Sequence, residues 1–262
     1  MTKTAFINCN LFVGIEDKLL ENAWFTVDNE SGKLLALGSG KMEDSVEHQV
    51  DLKKQYVMSG LINAHTHVGY VNVSKYHYPE TEALITYKAL EDLKNGLRGG
   101  VTYLRGCGSP YDVDVKLNNI RKDFPFEGPG MKPAGMPVSI LGGHSDRPLG
   151  TPEYDHGTPN YSHLVNSADD VRKAVREQFK KGAKNIKLMA TGGIMSQGDQ
   201  IDDTELSLEE IRTAVEEAHS KHMTVCAHAE GKLGIHYAVV VCVDSIEHGF
   251  YVSDEDIDLM KK

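Results

Sequence analysis

At 262 residues the chain can bury a full hydrophobic core, in one large domain or two smaller ones. With 40% hydrophobic and 25% charged residues its composition is that of a globular protein, and no run approaches the roughly 20 apolar residues of a membrane span. A net charge of -10 excludes nucleic acid as the main partner, because phosphate binding needs a basic footprint, and the first residues lack the long apolar region of a secretory signal. The expected setting is the cytoplasm, with a small-molecule ligand, no membrane and room for a homo-oligomer.

Residues 1–57 read as strands and turns. Phe6, Ile7, Leu11, Phe12 and Val13 form a first apolar run, and Trp24–Val27 is a second. Asp28-Asn29-Glu30-Ser31-Gly32 is turn chemistry, and Lys33–Gly38 completes a hairpin. These residues predict a small, mostly β subdomain ahead of a main domain over 58–262.

Tyr56-Val57-Met58 then leads into Gly60-Leu61-Ile62-Asn63-Ala64-His65-Thr66-His67. In an extended strand, residues i and i+2 share a face, so His65 and His67 aim at one spot. Two neutral imidazoles side by side are half of a transition-metal site. The alternative is an ordinary strand with two polar residues near its end.

Beyond Gly60 short apolar runs alternate with helical patterns. Ala83, Leu84, Tyr87, Leu90, Leu93 and Leu97 recur at helical spacing before Gly99-Gly100. Val101–Leu104 is the next strand, ending in Arg105, and Pro137–Leu141 is another, closed by Gly142-Gly143-His144. A loop runs from Ser145 to Asn166. Ser167 opens a helix with the stripe Val171, Ala174, Val175 and Phe179, which Gly182 stops. Asn185–Ala190 is a strand. Ser207-Leu208-Glu209-Glu210 is a capping box, with Leu208, Ile211, Val215 and Ala218 on one face. Thr224–His228, a helix over 235–241 and Asp244–Gly249 follow.

Six strands alternating with helices predict right-handed βαβ units and a parallel sheet. The polar residues fall at the strand carboxyl ends, where (β/α)8 barrels place their sites. Three strand ends supply histidines: His65 and His67, His228, and His248. Their convergence on one metal centre is a better reading than four independent polar residues. Lys187 stands at the same height between Ile186 and Leu188. A buried ammonium must ion-pair, lose its proton or be chemically changed. A neutral amine adds carbon dioxide to give a carbamate that can bridge two cations; a lysine snorkelling along the sheet edge is the alternative. Cys9, Cys107, Cys226 and Cys242 form no C-x-x-C pair and read as small buried thiols.

The runs Gly-Leu-Ile-Asn-Ala-His-Thr-His, Ile-Lys-Leu-Met-Ala-Thr-Gly-Gly-Ile-Met-Ser, Ala-His-Ala-Glu-Gly and Asp-Ser-Ile-Glu-His-Gly occur in that order. The sequence thereby resembles the amidohydrolase superfamily, on the branch of imidazolonepropionase-like enzymes and Xaa-Pro dipeptidases. The resemblance implies an α/β fold, the (β/α)8 TIM barrel with a small N-terminal β subdomain, and a binuclear site that usually holds zinc. His65 and His67 would bind the more buried metal and His228 and His248 the second. Lys187, as its carbamate formed with carbon dioxide, would bridge them. A metal-bound hydroxide would attack an amide carbonyl of a dipeptide, an N-acyl amino acid or a cyclic amide. His144 would grip a substrate carbonyl or carboxylate; Arg105 is a second substrate-binding candidate, with a structural ion pair as its alternative.

The family also places an aspartate base at the end of an eighth strand. About six βα units are present here and that general-base Asp is absent, so the chain reads as an incomplete barrel. A lactone or phosphoester hydrolase on the same site, or an inactive truncated fragment, are the competing expectations.

Overall fold

The computed structural model describes residues 2–15, 17–43, 45–70, 81–146, 161–194 and 198–262. It divides into two compact units, Met1–Leu61 and Ile62–Lys262.

The first unit is a five-stranded sheet of β1 (Lys3–Phe12), β2 (Leu19–Asp28), β3 (Leu34–Ser39), β4 (His48–Asp51) and β5 (Tyr56–Met58). Its order is β3-β2-β1-β4, with β5 also pairing β1. The predicted hairpin is β2–β3. Its turn is held by Asp28, which accepts hydrogen bonds from the Ser31 hydroxyl and the Glu30 amide, while Gly32 takes a left-handed φ of 68°. Cys9, Leu11 and Ala23 form a small core against Phe25, Leu52 and Val57.

The second unit carries parallel strands with helices between them. A three-stranded sheet joins β6 (Leu61–Thr66), β7 (Val101–Gly106) and β8 (Gly130–Lys132). A five-stranded sheet has the order β10 (His163–Val165), β9 (Val138–Ile140), β11 (Asn185–Met189), β12 (Thr224–Ala229) and β13 (Ser245–His248). The Pro133 carbonyl stitches the two sheets, accepting the amides of Lys184 and Asn185 at 2.8 and 3.1 Å. The strand expected over 137–141 is β9; β8 was not expected, and Pro133 and Pro137, which lack ladder donors, separate the two. The expected loop from Ser145 to Asn166 is corrected at its end, where β10 pairs with β9; its residues 147–160 lie outside the described residues. These alternating parallel strands and helices form an incomplete TIM barrel.

Helices α1 (Glu82–Arg98), α2 (Val113–Ile120), α3 (Ala168–Lys181), α4 (Leu208–His219), α5 (Lys232–Val240) and α6 (Asp254–Met260) surround them. Ser167 and Ser207 cap α3 and α4 as their sequences predict, and Gly182 ends α3 at φ 108°. Two apolar stripes are corrected. In α1 the buried face is Ile85, Ala89 and Leu93, while Tyr87 points outward and donates to Glu91. That helix has apolar residues on both faces, and the i, i+4, i+8 series carrying the small Ala89 packs on Leu104 and Met131. In α3 Gln178 is buried and Phe179 is not; Lys221 lies over the Phe179 ring. A buried amide is tolerated because Gln178 donates to Asp112 and to the Met136 carbonyl.

Gln178 belongs to a network that fixes the segment after β7. Asp114 is fully buried and accepts from the amides of Ala134, Gly135 and Val115, while Ser109 bonds both the Asp114 amide and the Val68 carbonyl. Asp112 accepts from Lys181, Gln178 and the Met136 amide. Asp114→Asn replaces one acceptor with a donor facing amides at 2.7 Å. It should cost about 3 kcal/mol, measured as a fall in melting temperature of about 6–12 °C. An unchanged melting temperature would show that the network is ornamental.

Candidate metal centre

The strand carboxyl ends bring His65, His67, Lys187, His228 and His248 together. The His65 and His67 rings are 5.0 Å apart, His65 and His248 5.2 Å, and His228 and His248 4.8 Å. Cys226 is the register partner of Lys187, and Glu247 of His228. Side chains alternate along a strand, so Glu247 occupies the inward position and His248 would point away. A left-handed φ of 72° at His248, followed by Gly249 at 62°, turns the chain at that point and brings the His248 ring beside His228.

Three of these imidazoles, His65, His67 and His228, have one nitrogen committed. His65 Nδ1 lies 2.5 Å from Glu247 Oε2, and His67 Nδ1 lies 3.2 Å from the Gly108 carbonyl. Donation through both Nδ1 atoms leaves two unprotonated Nε2 atoms, and these face each other at 3.1 Å. Two lone pairs at that separation repel unless a cation lies against both. His228 donates through Nε2 to the Gly192 carbonyl at 2.9 Å, which leaves Nδ1 as its free acceptor. This arrangement, a carboxylate or carbonyl orienting each ring while the other nitrogen faces inward, is that of metal-bound histidines.

The electrostatics agree. Burial, then the positive charge of Lys187, pushes the His67 imidazolium down to about 4. Burial pushes His228 down to about 3 and lowers His248 as well. All three are neutral at pH 7, the form that binds a metal. Lys187 is 2% exposed, and among the described residues no hydrogen bond or ion pair holds its ammonium.

A cavity of about 480 Å³ opens over this centre, lined by His67, Lys187, His228, His248, His144 and Glu230, with Tyr70, Tyr161 and Phe250 supplying apolar surface. His144 stacks on His228 at 4.2 Å, and Asp199 holds its Nδ1 at 3.1 Å. Arg105 lies outside this lining. Its donors go to the Ala64 carbonyl, Ser245 and Glu247 at 2.7, 2.7 and 2.6 Å. Its sequence-based assignment to substrate therefore gives way to the ion-pair alternative in this geometry.

Sequence reasoning missed Glu247, Glu230 and Asp199. The signal for Glu247 was present in the Ser245/Glu247 alternation, which puts both on the face of Cys226 and His228. Three cysteines are buried and Cys242 is exposed; Cys107 and Cys226 approach to 4.0 Å through the fold, which linear spacing does not reveal.

The parallel strands make an α/β protein whose carboxyl ends carry two groups that could hold a metal ion, His65 with Cys107 and Glu247, and His228 with Glu230 and His248. The chain belongs to the Amidohydrolase family, whose model matches residues 56–262. It is 29% identical over 291 aligned positions to ochratoxinase from Aspergillus niger, covering 99% of this chain and 57% of that protein. A Xaa-Pro dipeptidase solved with bound methionine superposes with a TM-score of 0.86 at 27% identity, and a prolidase complexed with N-methylphosphonate-L-proline at 0.84 and 30%. Each covers 99% of this chain, which in turn spans 64% of theirs. Among the described residues no helix is long and apolar enough to cross a membrane.

Proposed function

We propose that this chain carries the metal centre of a hydrolase acting on amide C–N bonds. The observation behind this reading is the pair of inward Nε2 atoms of His65 and His67 at 3.1 Å, each fixed by a partner on its other nitrogen. The family membership and the names of the relatives, an ochratoxinase, a prolidase and a Xaa-Pro dipeptidase, support the same chemistry.

His65 and His67 would hold one divalent ion, zinc being the usual choice of such donors, and His228 and His248 a second. Lys187 would serve both ions as a carbamate: its ammonium would lose one proton to become an amine, and a second as Nζ bonds to the carbon of carbon dioxide, leaving a two-oxygen anion. Such ions, when bound, supply a nucleophile at neutral pH and polarise a carbonyl. Glu247 keeps the His65 ring oriented, Gly108 does the same for His67, and Arg105 holds Glu247. His144, whose Nδ1 is held by Asp199 and whose ring stacks on His228, lines the cavity, and as its imidazolium it would donate through Nε2 to a substrate carbonyl.

Metal analysis of protein prepared with zinc and bicarbonate should find close to two ions per chain. A correctly folded protein that takes up none would sink the proposal. A panel of dipeptides, lactams, lactones and phosphotriesters should show turnover of amides first.

A further inference from the structure

Glu230 is 3% exposed, lines the cavity over the candidate metal centre, and has a carboxylate oxygen, Oε2, with no hydrogen-bond partner among the described residues. Its backbone is pinned by the Thr191 hydroxyl at 3.0 Å, and its Oε1 lies 3.8 Å from His228 Nε2. Asp199, close enough for its charge to act on Glu230, also has a buried oxygen, Oδ1, without a partner among the described residues; its Oδ2 accepts from His144 and the Gly193 amide. Buried carboxylates are ordinarily paired, and leaving one oxygen of each unsatisfied is expensive. One carboxylate oxygen of Glu230 and ring nitrogens of His228 and His248 all lie within 4.8 Å of one another, so Glu230 stands at the edge of the centre and faces whatever occupies the cavity.

We propose that Glu230 is the receptor for the free α-ammonium group of the substrate residue whose carbonyl is attacked, so that the substrate is an unblocked dipeptide or aminoacyl amide rather than an N-acyl amino acid. The inference rests on the amide-hydrolase reading above and selects among its substrates. In an aminoacyl group the α-nitrogen lies two bonds, about 2.5 Å, from the carbonyl carbon. A carbonyl held at the His228 side of the centre therefore brings an ammonium to the Glu230 side chain, whereas a lysine or arginine side-chain cation would overshoot it. Charge selection points the same way. Among the described residues Lys187 is the one cationic side chain on the cavity wall, and the metal reading takes it. Glu230 places a buried carboxylate on this side of the cavity, where an ammonium gains a charge-assisted hydrogen bond.

The test compares alanyl-leucine with propionyl-leucine, which share the scissile bond and differ in the ammonium. Wild-type protein should prefer alanyl-leucine in kcat/KM by about 10- to 100-fold, and Glu230→Gln should reduce that ratio to roughly 3-fold or less. Calorimetry with L-alaninamide and propionamide reads the subsite without turnover. The cationic amide should bind about 10-fold tighter to the metal-loaded wild type, and the difference should vanish in Glu230→Gln. Equal turnover and equal binding of the paired ligands by the wild type would overturn the assignment. So would a Glu230→Gln protein that keeps the wild-type ratio but loses a metal ion, which would make Glu230 a metal ligand. Tight, Glu230-dependent binding of alaninamide by a protein that hydrolyses neither amide would uphold the subsite and defeat the hydrolase reading.

Discussion

Lys187→Met should make the metal-free protein more stable and the metal-supplemented protein unable to hold its ions. Lys187 is among the largest fully buried side chains, and among the described residues its ammonium has no hydrogen bond or ion pair. Methionine keeps the length of the side chain and removes the charge. Relief of that burial should stabilise the metal-free chain by about 2 kcal/mol, a rise of about 4–8 °C in melting temperature. Metal content should fall from two ions to at most one, and incorporation of carbon-13 from labelled bicarbonate should disappear. Hydrolysis should drop by at least about 10³-fold, as when a group that organises the reacting centre is removed. Small carboxylic acids, which imitate a carbamate, should restore part of the metal content in Lys187→Ala, where space is left for them. The opposite signs of the two effects make the test strict. A Lys187→Met protein that is less stable without metal, or that still binds two ions, would show that Lys187 is structural.

Much of this centre was legible because its parts are local. His65-Thr66-His67 needs only the two-residue strand period, and the Ser207 capping box is complete within four residues. Other parts depend on contacts that no spacing encodes. Asp114 reaches the amides of Ala134 and Gly135 across 20 and 21 residues, and Glu247 reaches His65 across 182. The short strand β8 also escaped, because its three residues, Gly130–Lys132, end at Pro133 and carry too short a pattern to read. His248 meets His228 for a reason that simple alternation does not supply, since the left-handed backbone at that residue turns its ring toward His228. Arg105 shows the reverse case. A charged residue at a strand end looks like a substrate ligand until its three partners are seen.

Those partners make Glu247→Gln the second informative change. Burial opposes ionisation of Glu247, but hydrogen bonds from His65, Arg105 and Ser245 outweigh it and hold the carboxyl down at about 2. Because the folded value lies below the ordinary 4.5, ionised Glu247 stabilises the fold above about pH 4.5, and that contribution is lost as pH falls toward 2. Glutamine cannot ionise. It also sets an amide donor against either His65 or the Arg105 guanidinium, leaving a mostly buried charge without its counterion. At pH 7 the variant should be less stable by roughly 3 kcal/mol, read from urea midpoints. The gap to the wild type should stay constant above pH 5 and narrow steadily below it. With its Nδ1 partner weakened, His65 is free to change tautomer and tilt, so zinc affinity should fall by about 10- to 100-fold. Arg105→Lys should reproduce part of the stability loss, because a lysine cannot span the Ala64 carbonyl, Ser245 and Glu247 together. A stability gap that does not change with pH would mean that Glu247 acts through packing, and the carboxylate would lose its place as the group that orients His65.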